Sequence, residues 1–287
     1  MVTWQQAGEV GLACALLALV ALVPATPRLG RLSAWLWQAA VVVGLYGGWQ
    51  YLLDRLVVST SGALGRGRGI LDAQRWLHLP SERSLQHLFL PHPWVFQAAD
   101  RYYAWVDFPG MGACLIYLWW RRRSRYWRAR RTLVISTAAA AFVQAIPVAP
   151  PRLIPASGVI DAGRQFGYAV YGPGGLSDPG QLTSMPSVHV LWAALIAVTV
   201  IAAGGSRWRW LVLADPLLTM FVVVVTGTHF WLDGIAGVAL LAVTLGADGL
   251  ATRWMARRRR EPGSLAGGRP PSSHRSRATG LSKAVSR

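Results

Sequence analysis

The sequence predicts an all-α fold, a polytopic bundle of transmembrane helices, and three observations predict it. Of 287 residues, 53% are hydrophobic and only 14% are charged, too little polar surface to cover a soluble globule. Seven apolar segments approach the roughly 20 residues that a helix needs to cross a hydrocarbon core of about 30 Å. The basic residues behind the net charge of +17 gather in blocks beside those segments, as in membrane proteins whose cytoplasmic loops are positive. That distribution makes the charge a matter of orientation and argues against nucleic acid as a partner.

In chain order, the first segment is 7–25. Its apolar run starts after Glu9, with no basic stretch before it and no small-residue cleavage pattern after it, so it is expected to stay as a membrane helix and not to leave as a signal peptide. The second segment is 34–58, and residues 1–60 form an N-terminal pair of membrane helices. A main membrane domain then runs over 61–255. Its first part, about 61–98, mixes Gly, Pro and three histidines with irregularly spaced leucines, and is expected to lie at the interface with one or two short helices. The remaining spans are 102–120, 132–149, 186–204, 209–226 and 229–251. Between the fourth and fifth, 150–185 is rich in Gly and Pro and too polar to cross, which predicts a structured loop. The basic Gly, Ser and Pro-rich tail, 256–287, is expected to be disordered and cytoplasmic.

An N-terminus on the outside puts Arg28, Arg31, the seven arginines of 121–131, Arg207, Arg209 and the tail on the cytoplasmic side. Arg55, Arg66, Arg68, Arg75, Arg83, Arg101, Arg152 and Arg164 then face outward. Fifteen tryptophans, Trp94, Trp119, Trp120, Trp208, Trp210 and Trp231 among them, fall mostly near segment ends, as interfacial belts do. Cys14 and Cys114 lie inside apolar runs without the spacing of a metal site or a disulfide framework. No metal or cofactor is expected: His78, His87 and His92 share a proline-rich stretch without a nearby cysteine or a tight carboxylate cluster.

Two short stretches carry chemistry, and the topology puts both at the outer interface. In Thr183-Ser-Met-Pro-Ser-Val-His189, Pro186 suits the first turn of a helix and Thr183 or Ser184 can cap it. Free N–H groups at such a helix start attract an anion, and the Ser187 hydroxyl adds a donor. In Thr226-Gly-Thr-His-Phe-Trp-Leu-Asp233, His229 and Asp233 stand four apart and would share a helix face. A carboxylate placed there fixes the imidazole tautomer and leaves the other nitrogen free to attack. His229 would attack phosphorus while His189 protonates the leaving oxygen and later activates the acceptor. Either stretch alone is a weak signal. Together, on one face of a chain where ionisable groups are expensive, they make a site.

Pro186-Ser187-x-His189 followed by His229-x-x-x-Asp233 resembles the second and third motifs of the type-2 phosphatidic acid phosphatase superfamily. The likeness extends to Ala149-Pro-Pro-Arg-Leu153 and Thr226-Gly-Thr-His229. With the basic block after the third helix, it is similar to the bacterial branch related to fungal inositol phosphorylceramide synthases, over roughly residues 65–250. The resemblance implies a six-helix core, to which the first helix is an addition. It also implies a metal-independent site at the extracytoplasmic interface, a histidine nucleophile, a histidine acid/base and lipid-phosphate or lipid-diphosphate substrates. On that pattern the catalytic residues are His229, His189 and Asp233, and the phosphate-binding residues Ser187, Arg152 and Gly227.

Two departures bear on function. The lysine and arginine that open the broader signature are missing, since the only lysine is Lys283, and the arginine expected six residues before the nucleophile is Val223. Transition-state charge on phosphorus needs donors, so Arg152, with Arg164 behind it, is the candidate cation. Asp54 and Asp107 lie in or near spans and are functional suspects for that reason, and Asp107 occupies a position where the branch commonly has histidine. The resulting expectation is a cell-membrane lipid-phosphate phosphatase or phosphotransferase. Water as acceptor makes it a phosphatase, and a polar alcohol such as inositol makes it a headgroup transferase. A membrane protein that binds lipid headgroups without turnover is the alternative.

Overall fold

The structure is a computed structural model and describes residues 4–20, 27–56, 60–103, 108–167 and 179–260. Asp107 and residues 261–287 of the tail lie outside the described residues, as does the side chain of Asp54, while residues 256–260, expected as the start of the disordered tail, are helical. The chain divides into two units, Met1–Asp248 and Gly249–Arg287. Of the second, only helix through residue 260 is described, with Arg258 over the Trp254 ring at 3.9 Å.

Eleven α-helices are found among the described residues: α1 (Trp4–Val20), α2 (Pro27–Leu56), α3 (Ala63–Trp76), α4 (Glu82–Phe89), α5 (Pro93–Tyr102), α6 (Phe108–Arg121), α7 (Arg123–Gln144), α8 (Ala162–Phe166), α9 (Val188–Ala203), α10 (Ala214–Val225) and α11 (Trp231–Arg260). No strand forms among these residues, and the only β pairing is an isolated parallel bridge between Val148 and Thr183. Helices occupy all seven places where the sequence suggests a span. Among the described residues two are long and apolar enough by themselves, Arg207–Val225 and Trp231–Met255, and α9 is a shorter apolar helix. Leu217 is 71% exposed and Val243 69%, and apolar side chains exposed in this way along a membrane-length helix face lipid more favourably than water.

Several boundaries differ from the sequence reading for local reasons. The stretch 61–98 contains α3, α4 and most of α5, three helices where one or two were expected. In the third span, α5 runs to Tyr102 and α6 is described from Phe108, with Pro109 in its first turn, where a missing N–H is tolerated; residues 104–107 lie outside the described residues. α7 begins nine residues earlier than expected, within the basic block, because long arginine side chains extend their charge to the helix surface while the stems pack. It stops at Gln144, three residues before Pro147, so 145–149 are not helical.

α9 is the central element. Its Val188, Leu191, Trp192 and Leu195 pack with Met111, Leu115 and Leu118 of α6, Tyr126 and Leu133 of α7, and Leu241 of α11. Cys114 packs against the same core. Trp192 Nε1 donates to Thr137 Oγ1 at 3.0 Å, fastening α9 to α7. α11 passes very close to the start of α9: a Cβ on Gly237 would stand 2.5 Å from the Ser187 carbonyl oxygen, so only glycine permits this approach.

Candidate active site

The Thr183–His189 segment is shaped by its backbone bonds. Val148 N–H donates to Leu182 O at 2.6 Å. The buried Gln144 amide donates to Thr183 O at 3.2 Å and Pro186 O at 2.9 Å, and accepts Trp49 Nε1–H at 3.0 Å. The Met185–Pro186 peptide is cis. α9 starts at Val188, two residues later than expected, and its cap is Ser187, not Thr183 or Ser184. Ser187 Oγ accepts Val190 N–H at 3.4 Å, and Ser187 N–H donates to Asp233 O at 2.9 Å. Ser187 is fully buried at the helix start and keeps its own O–H as a donor.

The Thr226–His229 stretch closes the end of α10. Thr228 and His229 N–H both donate to Val223 O, at 3.0 and 3.1 Å, and Gly227 N–H donates to Val224 O at 2.9 Å. The buried Gln86 side chain donates to Val225 O at 3.1 Å and pairs both ways with the Ile160 backbone. His229 is thus in a turn before α11 and not on a helix, a correction to the shared-helix-face reading. It still meets Asp233, because Asp233 is the third residue of α11 and reaches back to the helix start, accepting Phe230 N–H on Oδ2 at 2.9 Å.

Ser184, considered from sequence only as a cap, joins the two stretches. Its carbonyl oxygen lies 2.7 Å from His229 Nδ1, nearer than Asp233 Oδ2 at 3.3 Å, and its hydroxyl donates to that same Oδ2. Asp233 is wholly buried, and its Oδ1 has no hydrogen-bond partner among the described residues. His189 approaches from α9, its ring centroid 5.8 Å from that of His229. Tyr103 lies on the other side, its hydroxyl 3.3 Å from His189 Nδ1 and the ring centroids 4.4 Å apart.

Arg152 is buried in a short 3-10 turn, Pro151–Leu153. Its N–H donates to Gly227 O at 3.1 Å, which seats it beside the His229 turn. Gly227 has φ +72°, and a Cβ there would stand 2.6 Å from Val159 Cγ1 and 3.2 Å from Arg152 Cβ. The Arg152 guanidinium donates to Gln181 Oε1 at 3.1 Å and lies 3.7 Å from Asp161 Oδ2. Asp161 also pairs with Arg164 at 3.8 Å, so it stands between the two arginines. Val223, in the place of the second motif arginine, is buried and gives its carbonyl to the turn.

A second layer supports α11. Gln74 Oε1 accepts Leu232 N–H at 3.1 Å, and Gln74 Nε2 donates to Glu82 Oε1 at 2.6 Å. Burial pushes the Glu82 carboxyl above its usual range, and the charge of Asp233 adds to this. Hydrogen bonds from its own backbone, Gln74 and Trp231 act the other way. His78, His87 and His92 are exposed, and among the described residues no three His, Cys, Asp or Glu side chains come together as metal ligands.

A helical protein with membrane-length apolar helices and two histidines brought together at its helix ends is the class that fold and site define. A model of the PAP2 superfamily matches residues 68–247, and the chain belongs to that superfamily. Its members are phosphatases or phosphotransferases, which points to an enzyme acting on phosphoric esters. The matched range contains His229, His189, Asp233, Ser187, Arg152 and Gly227. No curated protein and no solved structure matches the chain.

Proposed function

We propose that this chain is a multi-pass membrane phosphatase or phosphotransferase that acts on a phospholipid or polyprenyl phosphate through a phosphohistidine on His229. The observation that carries the reading is the pairing of His229 Nδ1 with the Ser184 carbonyl, 2.7 Å away, and with Asp233. A carbonyl oxygen accepts only, so Nδ1 keeps its proton and Nε2 presents its lone pair. Nε2 attacks phosphorus, the bond to the leaving oxygen breaks, and the positive charge on the imidazole is met by Asp233. His189 gives the leaving oxygen its proton, then takes one from the acceptor as that oxygen displaces His229. Ser187 and the helix start behind it bind phosphate oxygens, with Arg152 as the candidate cation.

The basic block supports an extracytoplasmic site. Arg125 donates to Ala202 O, at the end of α9 remote from His189, about 20 Å away at 1.5 Å per residue. A cytoplasmic block then leaves the histidines outside. The absence of the motif lysine and the buried Val223 favour the branch similar to inositol phosphorylceramide synthases, with an alcohol such as inositol as acceptor.

The test is to trap the intermediate. Purified protein in detergent, given a phosphate-labelled dioctanoyl phosphatidate, is expected to carry label on His229 by mass spectrometry. Label should be absent in His229→Ala and turnover unaffected by chelator. Wild-type turnover in both His229→Ala and His189→Ala would refute the mechanism. Headgroup binding without turnover of any lipid phosphate would favour a non-catalytic binding protein.

A further inference from the structure

Tyr103 was not singled out by the sequence, and its hydroxyl faces the second histidine. We propose that Tyr103 is a positioning residue that keeps the proton of His189 on Nδ1, so that Nε2 is the nitrogen exchanging protons at the reaction centre. This rests on the phosphoryl-transfer reading for its role in turnover, but the tautomer it assigns is a property of the resting protein.

The geometry is a hydrogen bond and a ring contact together. The Tyr103 oxygen is 3.3 Å from Nδ1, and the two rings are 4.4 Å apart at 39°. The ring contact sets the position of the imidazole; the hydroxyl can donate to Nδ1 or accept from it, and acid and base work at one and the same Nε2 requires that it accept. To act as an acid, His189 must start as imidazolium, with hydrogen on both nitrogens, since loss of a proton from the neutral ring is prohibitive. Nδ1–H donates to the tyrosine oxygen, and the proton on Nε2 goes to the leaving oxygen as the P–O bond breaks. The neutral ring left behind has Nδ1–H and a bare Nε2. That lone pair then takes the proton of water or an alcohol as the new P–O bond forms and the P–N bond breaks. Through the whole cycle the Nδ1 proton stays where it is, provided an acceptor faces it. A phenol oxygen accepts without the full charge of a carboxylate, so the pairing fixes the tautomer without stabilising imidazolium as strongly as Asp233 does at His229.

Tyr103→Phe keeps the ring and removes the oxygen, and two readouts follow. In nitrogen-15 spectra of histidine-labelled protein, assigned with His189→Ala, neutral wild-type His189 is expected as the Nδ1–H tautomer, and Tyr103→Phe as the Nε2–H form or a mixture. An unchanged tautomer overturns the proposal. In the second readout, kcat/KM is compared for dioctanoyl phosphatidate, whose alkoxide needs a proton, and p-nitrophenyl phosphate, whose phenolate does not. Because kcat/KM reports the first transfer, the variant is expected to fall about tenfold or more further on the alkyl ester than on the aryl one. Equal losses on both esters, with wild-type turnover intact, show a merely structural role and also overturn it. A tautomer change in a protein whose wild type turns over no lipid phosphate refutes the phosphoryl-transfer reading while the Tyr103–His189 pairing stands.

Discussion

The Ser184 carbonyl oxygen, 2.7 Å from His229 Nδ1, is the nearer partner of that nitrogen, and the Asp233 carboxylate at 3.3 Å is the further one. Orientation and charge compensation, which a single carboxylate often supplies together, are divided here between a backbone atom and a side chain.

Asp233→Asn is therefore expected to keep the tautomer and lose only the charge. Its kcat/KM on dioctanoyl phosphatidate should fall about ten- to a hundredfold, against roughly 10⁴-fold where the carboxylate alone holds the tautomer. A loss of that larger size, with His229 shifted to the other tautomer in nitrogen-15 spectra, would show that the carbonyl does not hold the ring.

Ser184→Ala leaves the carbonyl but removes the hydroxyl that donates to Asp233 Oδ2. A buried carboxylate deprived of a donor costs about 1–3 kcal/mol, so the unfolding temperature should drop while, on the proposed mechanism, phosphohistidine still forms at a reduced rate. Unchanged stability would mean that the hydroxyl contributes nothing to holding Asp233.

Gly227→Ala meets two penalties at once, the left-handed φ and a Cβ 2.6 Å from Val159 Cγ1. Gly167 has φ +70° with nothing within 4 Å of its would-be Cβ, so Gly167→Ala measures the first penalty alone, about 1 kcal/mol or somewhat more. Gly227→Ala should exceed it in loss of stability and should also lower activity, because the crowding falls on the turn that carries His229. Equal effects of the two variants would exclude crowding.

Glu82 gives a pH dependence whose sign is fixed by its burial. An unfolded chain releases this proton near 4.5, and the folded protein keeps it to higher pH. The group's stabilising contribution is complete below about 4.5 and is lost as pH rises through the raised value. Between those values the unfolding temperature of Glu82→Gln should fall less with rising pH than that of wild type, as read by tryptophan fluorescence. Parallel curves would place the pH dependence elsewhere.

Much of this was legible in the sequence where short-range physics decides. Apolar length located helices in all seven expected places, and proline and glycine content marked 150–185 as a connection. The spacing of His229 and Asp233 put them together, although the contact arises from a helix-start bond to Phe230 and not from a helical face. Pro186 and Ser187 indicated a helix start, but the cap depended on how the segment leaves the loop. The partners that complete the site were not legible, because each is a long-range match. Gln144 reaches 42 residues along the chain to the Pro186 carbonyl and Gln86 reaches 139 to Val225. A lone glutamine in the apolar end of α7 was the available hint for the first. Tyr103 meets His189 from 86 residues away, and nothing in its own neighbourhood distinguishes it from an interfacial aromatic.

The close pass of α11 over Ser187 at Gly237 limits how the protein can move. Asp233 travels with α11 and Ser187 with the start of α9, and the bond from Ser187 N–H to Asp233 O joins them at the same place. On the proposed mechanism, the carboxylate that serves the nucleophile and the helix start that binds phosphate are therefore held as one unit.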